Sequence, residues 1–273
     1  VTTVPPRVLA ASDLDRTLIY SPSALALTMP DEHAPRLLCV EVNEARPLSF
    51  MTETAAWLLT RLAAAAEFVP ATTRTRKQYR RINLPGPVPR FAITANGGHI
   101  LVKGRTDHEW HAEMRRRLAE GSAPLGEIQE YLARTADPLW LRKERIAEDL
   151  FVYLVVERSL LPEGWVKELA DWADERGWGV SLQGRKIYAV PKPLTKSAAL
   201  AEVVRRTGAE HVLAAGDSLL DADLLLAAHT GWRPGHGELA DSGWSAPHIH
   251  ALDTAGVAAG EEILRRMLAA SER

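Results

Sequence analysis

At 273 residues, 46% hydrophobic and 25% charged, the chain has the composition of a globular protein with a sizeable core, in one large domain or two smaller ones. A net charge of -2 argues against nucleic acid or an acidic membrane surface as a partner. The single cysteine, Cys39, excludes an internal disulfide framework and a cysteine-built zinc site, and fits a reducing compartment. No apolar run reaches the roughly 18 residues of a membrane span, and "VTTVPPRVLAASD" lacks the long apolar stretch of a secretory signal, so a cytoplasmic protein is expected.

The first element, "RVLAAS", is a short apolar strand that ends in Asp13, Leu14, Asp15, Arg16 and Thr17. After a loop containing Pro and Ser, "PRLLCVEV" reads as a second strand, and the connection as a whole, over residues 20 to 50, is longer than a simple flap needs. "TETAAWLLTRLAAAA" sets Ala55, Leu58, Leu59, Leu62 and Ala66 at helical spacing, with Thr52 placed to cap the helix. "EFVPAT" is a strand running into polar residues, "RKQYRRI" a basic helix, and "RFAITANGGHIL" a strand that breaks at Asn96, Gly97 and Gly98.

The composition then changes. Five of the eight tryptophans (Trp110, Trp140, Trp165, Trp172 and Trp178) fall between about residues 100 and 187. Two long helical patterns, "DHEWHAEMRRRLAEG" and "PEGWVKELADWADERG", flank the β-prone run "DLFVYLVVE", and the order helix, helix, strand, helix, strand predicts an α+β module. From "IYAVPKPLTKSAALAEVVRRTG" through "HVLAAGDSLLDADLLLAA" to "EEILRRMLAA" the βα rhythm resumes. The fold predicted is α/β: a doubly wound parallel-sheet, Rossmann-like core over 1–97 and 188–273, with an inserted α+β cap domain over 98–187.

Three polar clusters lie at the C-terminal ends of core strands: Asp13/Asp15/Thr17, Thr72/Thr73/Arg74 and Asp217/Ser218/Asp221. In an open parallel sheet that edge binds ligands, and Lys196, at the start of the helix after the insert, is placed to point there too. Four converging acids repel one another unless a cation neutralises them, and carboxylates without His or Cys suit Mg²⁺. Such a site leaves one carboxylate as a nucleophile and another as a proton donor and acceptor, with Thr72 and Lys196 on the phosphoryl oxygens.

In this order and spacing, "DLDRTL", "ATTRT", "TKSAAL" and "GDSLLDADLL" resemble the four motifs of the haloacid dehalogenase superfamily of phosphatases. "ITANGGHIL" resembles the segment entering the large α/β cap of its Cof-type branch, and the resemblance covers almost the whole chain. It implies that Asp13 is the nucleophile that becomes phosphorylated and that Asp15 is the general acid/base, with its backbone carbonyl on Mg²⁺. Thr72 and Lys196 would bind the transferring phosphoryl group, with Thr73 and Arg74 beside them on the substrate. Asp217 would complete the metal site, Asp221 would be a ligand or lie just behind it, and Asn96 would sit at the hinge. Two positions depart from the family's pattern. Arg16 stands where glycine is usual, which restricts the turn or adds positive charge near the substrate, and Leu220 replaces the asparagine of the fourth motif.

The resemblance implies a Mg²⁺-dependent phosphatase acting on a small phosphorylated metabolite, by default a sugar phosphate, through an aspartyl-phosphate. A phosphomutase acting on a hexose phosphate would use every residue named. A phospho-acceptor signalling module combines similar groups but is about half this length and has no role for the insert. In the insert, "WLRKERIAED" and "SLQGRKIY" offer Arg142 and Arg185 as candidates for a second anionic substrate group, though surface charge accounts for them equally. "RTRKQYRR" reads as a helix with a solvated basic face rather than a nucleic-acid site, since aromatic interleaving is missing. Trp165, Leu169 and Trp172 share a helix face and read as core of the insert, and "HIH" at 248–250 lacks a third metal ligand. No stretch indicates an oligomeric state.

Overall fold

Small and apolar side chains that alternate between two buried faces make β1 (Val8–Ser12) an inner strand of a parallel sheet. The computed structural model describes residues 8–272, so the reading of residues 1–7, including Arg7 as the start of the first strand, lies outside the described residues. Beyond β1, β2 (Leu37–Asn43) and β3 (Arg46–Thr52) form an antiparallel hairpin of their own. The sequence pattern announces only the first of these strands, because "RPLSFMT" lacks apolar alternation; residues 37 to 52 are a hairpin rather than part of a loop. Thr52 caps α1 (Glu53–Ala65): its Oγ1 accepts the Ala55 N–H at 3.0 Å and donates to Glu261 at 2.6 Å. Ala55, Ala56, Leu58, Leu59 and Leu62 are the buried face of this helix.

β4 (Glu67–Pro70) returns to the sheet, and α2 (Arg76–Tyr79) is a single turn. β5 (Phe91–Thr94), β6 (His99–Val102) and β7 (Arg105–Thr106) make a small antiparallel sheet. The insert follows, with α3 (His108–Gly121), α4 (Leu125–Thr135), β8 (Leu141–Ala147), β9 (Phe151–Val156), α5 (Trp165–Asp174), β10 (Trp178–Gln183) and β11 (Lys186–Pro191). Its strands form one antiparallel sheet in the order β10-β11-β9-β8. Trp140 and Trp165 pack edge to face at 4.6 Å within its core, while Trp172 is half-buried and stacks on Tyr131 at 3.9 Å.

The core resumes with α6 (Lys196–Thr207), β12 (His211–Ala215), α7 (Ala222–Leu226), β13 (Thr230–Arg233), α8 (Glu238–Asp241), β14 (Ile249–Ala251) and α9 (Val257–Ser271). The chain divides into two compact units, Val1–Asp107 with Lys196–Arg273, and His108–Thr195. These bounds follow hydrogen bonding: β5, β6 and β7 hold together on the first side, and β11 lies between β10 and β9 on the second. "IYAVP" is therefore an inner strand of the insert and not the first strand of the resumed core. No helix among the described residues is long and apolar enough to cross a membrane.

The central sheet runs β14-β13-β12-β1-β4, all parallel. Ala10, Phe68, Leu213 and Ala215 face the cluster built with α1 and α9, while Leu9, Ala11, Val69, Val212 and Ala214 are buried outside that cluster. Ser12 pairs with Ala215 on one side and Pro70 on the other, so the ends of β1, β4 and β12 are level. Leu62 is fully buried in the α1 face, and Leu62→Ala is expected to cost about 3 kcal/mol. Urea unfolding should show a lower midpoint with an unchanged slope.

Candidate active site

Three strands that end together run into three polar turns. The ladder continues one step into each, with the Asp13 N–H on the Ala215 carbonyl at 2.9 Å and the Ala71 N–H on the Ser12 carbonyl at 2.8 Å. Those bonds fix the direction in which Asp13, Thr72 and Asp217 leave the sheet. Lys196, the first residue of α6, completes the edge.

Lys196 is fully buried, with Nζ 2.6 Å from Asp13 Oδ1 and 2.5 Å from Asp221 Oδ1. Burial alone would lower its pKa, but the two carboxylates outweigh that and hold the ammonium charged. The other oxygen of Asp221 accepts the N–H groups of Asp217 and Ser218 at 3.2 and 3.0 Å and the Ser218 hydroxyl at 2.7 Å. Asp221 thus ties the Gly216–Ser218 turn to Lys196 with both oxygens. A Cβ on Gly216 would stand 2.3 Å from that of Asp221, so only glycine allows the approach.

Asp13 is buried, and its second oxygen has Thr17 Oγ1 at 3.4 Å. Burial raises its pKa from 3.8 to about 7, with Asp221 and Asp15 adding to the rise and Lys196 opposing it. Burial likewise lifts Asp217 well above the ordinary carboxylate range, helped by Asp13 and Asp221. One ligand oxygen from each of Asp13, Asp217 and Asp221 lies within 4.8 Å of the others. When ionised, three carboxylates outnumber the Lys196 ammonium and the Arg16 guanidinium, which lies 3.7 Å from Asp217, and an all-oxygen donor set suits a hard divalent cation. The buried triad therefore fits a divalent metal.

Asp15 points elsewhere. Arg74 forks it, with Nε to Oδ2 and Nη2 to Oδ1 both at 2.7 Å. Behind the fork, Arg74 Nη1 reaches Glu41 Oε2 at 2.7 Å, and Glu41 also accepts from Ser49 at 2.7 Å and from Arg81 Nη2 at 3.0 Å. Glu41 is 1% exposed; burial raises its pKa, yet Arg74, Ser49 and Arg81 together hold it below the usual range. Arg74 and Arg81 are thus turned inward onto Glu41, so the basic segment is not simply a solvated face. Glu41 carries no motif, but an acid between Val40 and Val42 in an apolar strand is the signal that it is buried and paired.

Thr72 is fully buried, and its Oγ1 accepts the Arg74 N–H at 3.1 Å, which leaves its hydroxyl hydrogen to give away. Thr73 follows in the same turn, half-buried. The Asn96 N–H bonds the Thr72 carbonyl at 3.0 Å, so the Asn96 turn, left-handed at φ 55°, is stitched to the Thr72 turn. Arg142 and Arg185 are exposed and belong to the inserted unit; Arg142 lies 3.9 Å from Glu157. His248 bonds the Leu225 carbonyl and His250 stacks on Trp232, each a packing role. Leu220 is half-buried in the turn after Ser218.

No protein-family model matches the chain, and no curated protein matches it. Solved structures do. A sucrose-phosphatase from Synechocystis, in complex with sucrose and phosphate, aligns with a TM-score of 0.66 at 16% identity over 96% of this chain and 98% of its own. The C-terminal domain of a trehalose-6-phosphate phosphatase from C. albicans gives 0.56 at 14%, over 97% and 93%. A sugar phosphatase of haloacid dehalogenase subclass IIB gives 0.55 at 14%, over 95% and 97%. The fold is that of the haloacid dehalogenase phosphatases: a Rossmann-like core with an inserted α+β unit.

Asp13 holds its proton more firmly folded than unfolded. Its contribution to stability is therefore complete below the ordinary aspartate range and is lost as pH rises through about 7. In chelator-treated protein, the melting temperature of the wild type should fall relative to Asp13→Asn between about pH 5.5 and about pH 8. Adding a divalent cation should reverse the fall. A gap that is flat with pH would contradict the burial argument.

Proposed function

We propose that the chain is a Mg²⁺-using phosphoric monoester hydrolase that acts on a small phosphorylated metabolite, sugar-phosphate-like, through an aspartyl-phosphate on Asp13. One observation carries the reading. A buried lysine fixes one oxygen of Asp13 at the end of β1, within a group of three buried carboxylates that Lys196 and Arg16 together do not balance. The three structures above, all sugar-phosphate phosphatases by description, support the substrate class. The exposed lone Cys39 suits a reducing compartment, and a cytoplasmic location is part of the same reading.

Asp13 and Asp217, with the Asp15 carbonyl, would hold Mg²⁺, and Asp221 would orient them from behind. Bound there, Mg²⁺ supplies charge neutralisation for the phosphoryl oxygens. Lys196 aims Asp13 and opposes the effect of burial on its carboxyl. The Asp13 carboxylate oxygen attacks phosphorus as the bond to the leaving oxygen breaks, and Asp15 gives that oxygen its proton. Asp15 then takes a proton from water as the water oxygen attacks phosphorus, which frees phosphate and restores Asp13. The Thr72 hydroxyl donates to a phosphoryl oxygen throughout. Arg74 takes both oxygens of Asp15, so Asp15 leaves the Arg74 fork to serve the leaving oxygen. Arg142 and Arg185 remain candidates for a second anionic group of the substrate.

Asp13→Asn should abolish turnover of phosphate esters, and chelation should silence the wild type; Mg²⁺-dependent turnover surviving in Asp13→Asn would overturn the assignment. Asp15→Asn should slow esters with poor alkoxide leaving groups by about 10²- to 10⁴-fold. Dinitrophenyl phosphate, whose leaving group needs no proton, should be slowed far less. Equal losses on both substrates would remove Asp15 from the acid role.

A further inference from the structure

The turn that carries Asp13 and Asp15 is held in a conformation its sequence does not favour. The Leu14 carbonyl accepts the N–H groups of Thr17, Leu18 and Ile19 at 3.3, 2.9 and 2.9 Å, and Arg16 reverses the chain at φ 61°. That left-handed backbone suits glycine and costs an arginine steric strain. Its N–H is satisfied by the Ile19 carbonyl at 2.8 Å. Its carbonyl is met by a side chain 220 positions away, His236 Nε2, at 2.7 Å.

Two hydrogen bonds set the tautomer of His236. The Gly256 N–H donates to Nδ1 at 3.1 Å, so Nδ1 is the acceptor and the proton is on Nε2, which donates to Arg16. Tyr20 stands edge-on at 6.0 Å, and its hydroxyl donates to the Thr17 carbonyl at 2.9 Å, one residue beyond the bond from His236. The next residue, Gly237, is left-handed at φ 93°, and a Cβ there would come within 2.5 Å of the Asp217 carbonyl oxygen and 2.6 Å of its carboxylate. The His236–Gly237 pair thus braces both aspartate turns, one by a hydrogen bond and one by contact.

We propose that His236 is a positioning residue: through the Arg16 carbonyl it holds the Asp13–Asp15 turn in the left-handed conformation that arginine resists. The consequence for turnover rests on the phosphatase reading above, while the bracing itself does not. The bond substitutes for the conformational freedom a glycine would give at position 16, so His236 matters because Arg16 is not glycine.

A double-mutant cycle tests this. His236→Ala should lower kcat for a phosphate ester by roughly 5- to 30-fold with KM little changed, the factor that left-handed strain on one residue implies. His236→Gln, whose amide still donates to the Arg16 carbonyl, should recover most of it. In the Arg16→Gly background the further change to His236→Ala should cost much less. Losses that multiply to within about twofold on both backgrounds would overturn the proposal. Urea unfolding of the same four proteins reads the bond without turnover. The His236→Ala shift in midpoint should shrink in the Arg16→Gly background, and an equal shift would also overturn it. A wild type that hydrolyses no phosphate ester would refute the proposed function and leave the unfolding cycle to decide this proposal.

Discussion

A buried ammonium shared by two carboxylates is the constraint from which the rest of this site follows. Lys196 has no access to water, so it is tolerable only because Asp13 and Asp221 each bring an oxygen to it. Asp221 then has one oxygen left, and three donors from the 217–218 turn take it, so the lysine fixes the turn that presents Asp217. Asp13 is fixed by the same lysine and by the β1–β12 register. Two acids that would otherwise drift apart are held facing each other, and the residual charge is left for a cation.

Much of this was legible in the chain. The alternation of β1, the helical spacing and Thr52 cap of α1, and the strand–turn–helix of "HVLAAGDSLLDADLLLAA" all reflect local forces, and each element forms where those forces put it. The acids, Thr72 and Lys196 were readable because nothing structural asks for polar groups at the ends of buried strands. What was not legible depends on pairing across long separations. β3 has no period of its own and exists because β2 covers it. β11 looks like any strand before a helix, and only its antiparallel partners β9 and β10 assign it to the insert.

Two side chains of the site's surroundings escaped for the same reason. Glu41 and His236 act on residues 33 and 220 positions away. Local pattern shows that Glu41 is an acid inside an apolar strand and that His236 sits between two glycines, but neither pattern names a partner. The glycines mark close backbone approach: Gly235 would clash with the Asp253 carbonyl and Gly237 with Asp217.

The hairpin after β1 explains why the connection is long. A short flap could not deliver a buried carboxylate to Arg74, and without Glu41 the guanidinium would have Asp15 as its only acid partner. With Glu41 and Arg81 added, two acids and two arginines make a neutral group. Its neutrality matters for its neighbour. Asp15 adds little to the negative charge that Asp13, Asp217 and Asp221 present to a cation while Arg74 holds it. That hold depends on Arg74, whose orientation is set by a buried glutamate outside every motif the sequence displays.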